Sequence, residues 1–220
     1  MFKLIIWDFD GVIADSEKIW LKNRCDLLNQ KFGLNWDFET TNFYLGGMSD
    51  KTKQAVLENL GIVTDDNFWA EALHRDCADM AKGLKLTPGI KEIFSRRDIK
   101  QCIATGGIKS KTEQKLKAVG IEGFFKPEQI FTADMVEHGK PEPDLFLLAA
   151  RKMGEKPENC VVIEDSIAGM KAGLRAGMKT VAYTGCEMNQ SPDYLEKIKA
   201  LGIREVFRHM SDFQKWLGLS

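Results

Sequence analysis

Phe2-Lys3-Leu4-Ile5-Ile6-Trp7-Asp8-Phe9-Asp10-Gly11-Val12 opens the chain as an apolar run that ends on two carboxylates two residues apart. So apolar a run predicts a buried strand, and its period of two sends Asp8 and Asp10 to the same side just where the strand meets solvent. Two like charges so placed raise one another's pKa unless a cation sits between them, which calls for Mg²⁺ or for a shared proton. A strand closing on an Asp-rich turn would use the same residues with no chemistry attached, so the rest of the chain has to decide.

Working outward, the pattern after Gly11 turns helical. Ser16 is placed to cap a helix carrying Ile19, Trp20, Asn23, Leu27 and Leu28, with Gly33 near its end, and further helical stretches are expected at about 50–60 and 65–82. From Pro88 onward helices and strands alternate: helices over 89–97, 110–119, 143–153 and 167–176, and strands over 100–104, 129–132, 160–164 and 179–183. The C-terminal segment, with Tyr194, Leu195, Ile198, Val206, Phe207, Phe213 and Trp216, reads as two helices around a short strand. Such alternation implies right-handed crossovers and a mostly parallel sheet covered on both faces. The expected fold is α/β, a Rossmann-like core with an inserted all-helical domain. Residues 1–14 and 88–220 would form the core and residues 15–87 the insert, which leaves after the first strand on the side where open α/β sheets bind ligands.

Composition narrows the function classes. The chain has 220 residues, 44% of them hydrophobic, enough to bury a substantial core. Thirty-one Lys and Arg against 32 acidic residues give a net charge of −1, with no single-sign block to track a phosphate backbone, so nucleic acid is not an expected partner. Five cysteines, an odd count without a Cys-x-x-Cys pair, suit reduced thiols in the cytoplasm. His74 and Cys77 are spaced like half a metal site that no second pair completes. The apolar opening is too short for a membrane span and is broken by Lys3 and Asp8, so neither a leader nor a membrane association is expected. A cytoplasmic monomer is the expectation.

If the strands are parallel, their carboxyl ends share one edge, and the best of them end on polar residues. The first ends at Asp8 and Asp10, the next at Thr105-Gly106-Gly107, and the strand over 160–164 runs into Glu164-Asp165-Ser166. Between these lies Gly139-Lys140-Pro141-Glu142-Pro143-Asp144, where Pro143 can start a helix and Lys140 sits in a short, stiff loop. Each piece alone has a structural reading: a glycine turn, a solvated lysine, an acidic helix N-terminus. Together they fit phosphoryl transfer through a carboxylate. Asp8 is suited to attack phosphorus, and Asp10 to protonate the leaving oxygen and then take a proton from water. Mg²⁺ would find oxygen ligands on Asp8, the Asp10 main chain, Asp165 and Glu164. The Thr105 hydroxyl, the Gly106 and Gly107 amides and the Lys140 ammonium would hold phosphate oxygens, the glycines letting backbone come close.

In order and spacing, Asp8-Phe9-Asp10-Gly11-Val12, Thr105, the Lys140 loop and Glu164-Asp165-Ser166 resemble the four motifs of the haloacid dehalogenase-like hydrolase superfamily, and the helical insert resembles the subfamily I cap. The resemblance implies a Rossmann-like core, Mg²⁺ dependence, an Asp8 phosphoenzyme and a cap that closes over substrate. It assigns to the same positions the roles just described.

Departures narrow the reaction. The dehalogenases lack a carboxylate at the place of Asp10, so phosphate esters fit better than carbon–halogen bonds. The β-phosphoglucomutases look similar from Asp8 to Asp15, but carry a histidine, a lysine and an arginine where this chain has Trp20, Gly46 and Asp50. Hydrolysis of a small phosphorylated metabolite, a sugar phosphate or phosphosugar acid, is therefore the expected activity. A phosphosugar mutase and a non-catalytic phosphate-binding regulator are the alternatives. Substrate selection is expected in the cap, at Trp20, Asn23, Gly47, Met48 and Ser49, with Lys18 and Arg24 nearby.

Overall fold

The computed structural model of the chain describes residues 2–46 and 50–218. At its centre is β1 (Leu4–Trp7), whose four residues are wholly buried and therefore covered on both faces. It pairs in parallel with β2 (Lys100–Thr105) on one side and β4 (Cys160–Glu164) on the other. With β3 (Ile130–Thr132), β5 (Lys179–Tyr183) and β6 (Val206–Phe207), the described residues form a six-stranded sheet, parallel throughout, in the order β3-β2-β1-β4-β5-β6. Chain order therefore reverses at β1, the place where open α/β sheets leave a crevice beyond their carboxyl ends. This is the Rossmann-like α/β sheet expected from the alternation.

The helices, in chain order, are α1 (Glu17–Phe32), α2 (Phe38–Leu45), α3 (Asp50–Asn59), α4 (Asp66–Gly83), α5 (Ile90–Phe94), α6 (Lys109–Ala118), α7 (Asp144–Lys152), α8 (Ile167–Arg175), α9 (Pro192–Ala200) and α10 (Met210–Trp216). Leu4 and Ile6 on one sheet face pack in a cluster with Leu145, Phe146 and Ala149 of α7 and with Cys102, Ala104 and Val162 of the neighbouring strands. On the other face Trp7 meets Phe94 and Phe213 edge-on at 5.3 and 5.6 Å. Its indole N–H donates to Gln101 Oε1 at 3.1 Å, so the one polar atom of this large side chain keeps a partner inside the core.

The chain divides into two compact units, Met1–Asp15 with Lys85–Ser220, and Ser16–Leu84. The second junction falls earlier than the 87/88 expected from pattern alone. The reason is Thr87, whose N–H donates to the Ile13 carbonyl at 2.8 Å and whose hydroxyl donates to the Val12 carbonyl at 2.7 Å, tying this segment to the sheet unit.

The smaller unit is built from α1 to α4. Of these, α2 had no counterpart in the sequence reading: its interior Thr40, Thr41 and Asn42 are poor helix formers. Local contacts hold it instead. Asp37 caps it by accepting from the Thr40 N–H at 2.8 Å, and Tyr44 stacks on Trp36 at 5.0 Å. Between α1 and α4 lies a buried ion pair. Arg24 and Asp76, 1% and 0% exposed, meet at 2.6 Å, and Asn23 donates to the other Asp76 oxygen at 3.0 Å. Arg24 also stands 5.7 Å over the rings of both Trp20 and Trp69. Removing one partner of such a pair strands a buried charge, so Asp76→Ala is expected to cost about 3–5 kcal/mol. Urea unfolding followed by tryptophan fluorescence measures this; a loss below about 1 kcal/mol would show that Arg24 reaches water or another partner.

Candidate active site

Strand register sets the site. Trp7 is level with Ile103 of β2 and Ile163 of β4, so Asp8, Ala104 and Glu164 follow at the same height as the sheet ends. The Asp8 N–H still donates to the Ile163 carbonyl at 3.1 Å, which fixes its backbone to β4. Beyond it the chain turns sharply. Gly11 has φ +81° and donates to the Ala14 carbonyl at 2.8 Å. A Cβ at Gly11 would lie 1.8 Å from Asp165 Oδ2, so glycine is required both by the backbone and by the carboxylate that fills its place.

Lys140 is the hub of the charge arrangement. Its ammonium is 2.5 Å from Asp8 Oδ1 and 2.5 Å from Glu164 Oε1, 4.9 Å over the Phe146 ring, and 9% exposed. Burial pulls this lysine down, but the charges of Asp8 and Glu164 together outweigh burial and hold it above its ordinary value. Asp8 is pushed up to about 7, first by burial and then by the charge of Glu164, against the pull of Lys140. Glu164 is engaged at both oxygens: Oε1 by Lys140, and Oε2 by the Ser166 N–H at 2.8 Å and the Ser166 hydroxyl at 3.0 Å. Ser166 in turn caps α8 by accepting from the Gly169 N–H at 3.0 Å, so the acidic strand end is at once a helix start and part of the site. A Cβ at Gly169 would meet Glu164 Oε1 at 1.7 Å, a second place where glycine makes room for a carboxylate.

Asp8, Glu164 and Asp165 each offer an oxygen within 4.8 Å of the others. Hard carboxylate oxygens at that separation fit a divalent cation. Asp165 is oriented from behind: Asn189 donates to its Oδ2 at 2.9 Å, and the Tyr194 hydroxyl donates to its carbonyl oxygen.

The other sequence candidates divide. Thr105 is fully buried at the end of β2, and its hydroxyl accepts from the Gly107 N–H at 3.2 Å. A Cβ at Gly106 would enter open space and one at Gly107 would make ordinary contacts, so the protein's own packing demands neither glycine. Asp10, with its side chain 28% exposed, has both carboxylate oxygens 2.6 Å from the ammonium of Lys115, which is fully buried. Lys115 was not among the sequence candidates, nor were Asn189 and Tyr194. Thr112, Lys115, Leu116 and Val119 recur at helical spacing on the buried face around α6, so a lysine at a core position was a readable signal. Asn189 and Tyr194 carried none.

In the Ser16–Leu84 unit, Asn23, expected to face substrate, is instead buried with its amide on Asp76. Trp20 is 8% exposed, with Arg24 and Lys53 over its ring. Their surroundings within the unit account for both residues as packing. Gly47, Met48 and Ser49 lie outside the described residues.

The family model described as haloacid dehalogenase-like hydrolase matches residues 5–183. The chain belongs to the haloacid dehalogenase-like hydrolases. Among curated relatives of this hydrolase, it is 32% identical to the fructose-1-phosphate phosphatase YqaB of Escherichia coli over 80% of this chain and 94% of that protein. It is 26% identical to the 6-phosphogluconate phosphatase of the same organism over 94% of this chain and 90% of that protein. A haloacid dehalogenase-like protein of unknown function from Agrobacterium tumefaciens has a solved structure that superposes with a TM-score of 0.83. The two share 26% identity over 100% of this hydrolase and 99% of that chain. No helix among the described residues is long and apolar enough to cross a membrane.

Proposed function

We propose that this hydrolase, a phosphomonoesterase of the haloacid dehalogenase type, is Mg²⁺-dependent and cleaves a small sugar phosphate or phosphosugar acid through an aspartyl-phosphate on Asp8. The observation that carries the reading is the convergence of Asp8, Glu164 and Asp165 from two separate strand ends, with the ammonium of Lys140 on Asp8 and Glu164. Sugar-phosphate and phosphosugar-acid specificities in the two relatives support the substrate class.

Asp8 would attack phosphorus in line with the ester oxygen; as the new O–P bond forms, the ester P–O bond breaks and the leaving oxygen takes a proton from Asp10. A water then gives a proton back to Asp10 and attacks the same phosphorus, releasing phosphate and restoring the Asp8 carboxylate. Lys140, the Thr105 hydroxyl and the amides of the Gly106-Gly107 turn would face the phosphate oxygens and balance the charge that develops on them. Asp8, the Asp10 carbonyl and Asp165 would hold Mg²⁺. Glu164, already bonded to Lys140 and Ser166, would reach it through water. The ion supplies positive charge that screens the approach of a carboxylate to a phosphate dianion. Residues 16–84 would act as the cap that selects substrate.

Turnover of a panel of phosphorylated metabolites with and without Mg²⁺, with mass spectrometry of the quenched protein for an added phosphoryl group, tests this. Hydrolysis with a phosphate adduct on Asp8 supports it. A product carrying the phosphate on a different carbon would show a mutase, and tight phosphate binding without turnover a regulator.

A pH dependence follows from Asp8. Its carboxyl, held near 7 by burial and by Glu164, has to give up its proton before it can bind a cation. Mg²⁺ affinity of the metal-free protein is thus expected to weaken about tenfold from pH 8 to pH 6, with proton release on binding at the lower pH. Calorimetric titration in two buffers of different ionisation enthalpy reads both quantities. An affinity that does not change would remove Asp8 from the metal site.

A further inference from the structure

We propose that Lys115 is a positioning residue for Asp10, clamping its carboxylate beside the phosphate-binding turn so that its proton reaches the leaving oxygen. The inference rests on the reading of Asp10 as the proton donor given above. Its own observation is separate: one fully buried ammonium lies 2.6 Å from both Asp10 oxygens. A Cβ built on Gly107 would lie 3.6 Å from that ammonium and 3.6 Å from the Thr105 hydroxyl, so Lys115 stands against the turn at the end of β2. The Phe9 ring, itself wholly buried, closes another side at 5.4 Å.

Two arguments favour orientation over mere stability. A leucine or methionine on the buried face of α6 would fill the same space with no charge to desolvate, so a buried lysine is a poor stabilising device at that position. Asp10 lies on the turn after β1 with over a quarter of its side chain exposed, and the Lys115 contact restricts both of its side-chain torsions. The clamp also joins two pieces of chain far apart in sequence, the turn after β1 and the helix after β2, so the donor is aligned with the turn that would hold the phosphate.

The test compares two esters on one preparation of enzyme. One is the alkyl phosphate turned over fastest in the metabolite panel, whose alkoxide has to be protonated as it leaves. The other is p-nitrophenyl phosphate, whose leaving group needs no proton. Because kcat/KM reports steps through phosphoenzyme formation, the ratio of the two values isolates proton donation. Asp10→Asn is expected to lower the alkyl-to-aryl ratio about 10²-fold, the usual worth of a general acid, and Lys115→Met at least about tenfold. In the Asp10→Asn background, Lys115→Met is expected to change the ratio less than about twofold, because its effect runs through Asp10.

A Lys115→Met ratio equal to wild type, with Asp10→Asn still selective, overturns the inference and leaves the proposed function intact. A ratio unmoved in both variants removes Asp10 as the donor and takes that reading with it. A loss shared by both esters assigns Lys115 to phosphate binding or folding instead. Partial unfolding cancels in the ratio. If Lys115→Met yields no folded protein, Lys115→Gln keeps the stem and one donor and carries the same test, with a smaller expected drop.

Discussion

Asp8→Asn is expected to abolish turnover, with kcat/KM down by at least about 10³, because no other group in the site can take over an attack on phosphorus. The variant should nevertheless fold well, and the sign of the Asp8 shift says why. A carboxyl whose native pKa is raised holds a proton that the unfolded chain releases between about pH 4 and 7. The stability associated with it is therefore present at low pH and lost as pH rises through that window. An amide at position 8 removes that loss, and Lys140 keeps Glu164 as its partner. Metal-free Asp8→Asn is accordingly expected to melt at or above the wild-type temperature at pH 8 by differential scanning calorimetry. Near-normal turnover in a folded variant would refute the nucleophile. A large drop in melting temperature would instead show that Asp8 is a structural partner of Lys140.

Lys140→Ala is expected to lower kcat/KM by at least about 10², the usual effect of removing one donor from a preorganised anion site. The physical reason is local. Lys140 is 9% exposed and lies between two carboxylates that are themselves buried, so water cannot replace its charge. Without it, Asp8 and Glu164 face one another across the ends of β1 and β4, and Asp8 should cling to its proton to a higher pH. Activity that remains should therefore rise with pH beyond the wild-type optimum, which a pH–rate profile of kcat/KM would record. Lys140→Arg is not expected to restore activity, since a planar guanidinium cannot place one nitrogen on both carboxylate oxygens in the space of an ammonium. A merely twofold effect of Lys140→Ala would show that other groups carry the phosphate charge.

Much of this was legible along the chain. An unbroken apolar run at 4–7, a period of two at its end, and regular alternation of helix and strand after Pro88 are local signals, and burial of β1 on both faces is their direct consequence. Motif order carried the site for a related reason. In a parallel sheet every strand ends on the same edge, so polar residues at successive strand ends, however far apart in sequence, come together.

What failed was legible only in three dimensions. Asn23 read as a polar residue on a helix face, but its face turns inward because Arg24 beside it is neutralised by Asp76 from a helix fifty residues away. α2 lacked helix formers and is held by Asp37 and by ring stacking on Trp36.

The sequence by itself determined the sheet, its strand ends and the chemistry those ends could hold, because hydrophobic periodicity and strand direction are properties of short segments. Only the tertiary structure decided how the charges pair: Lys140 between Asp8 and Glu164, Lys115 on Asp10, Asn189 and Tyr194 on Asp165. Charge pairing depends on distances between segments and on how much water remains between them, and neither quantity is written in any one stretch of residues.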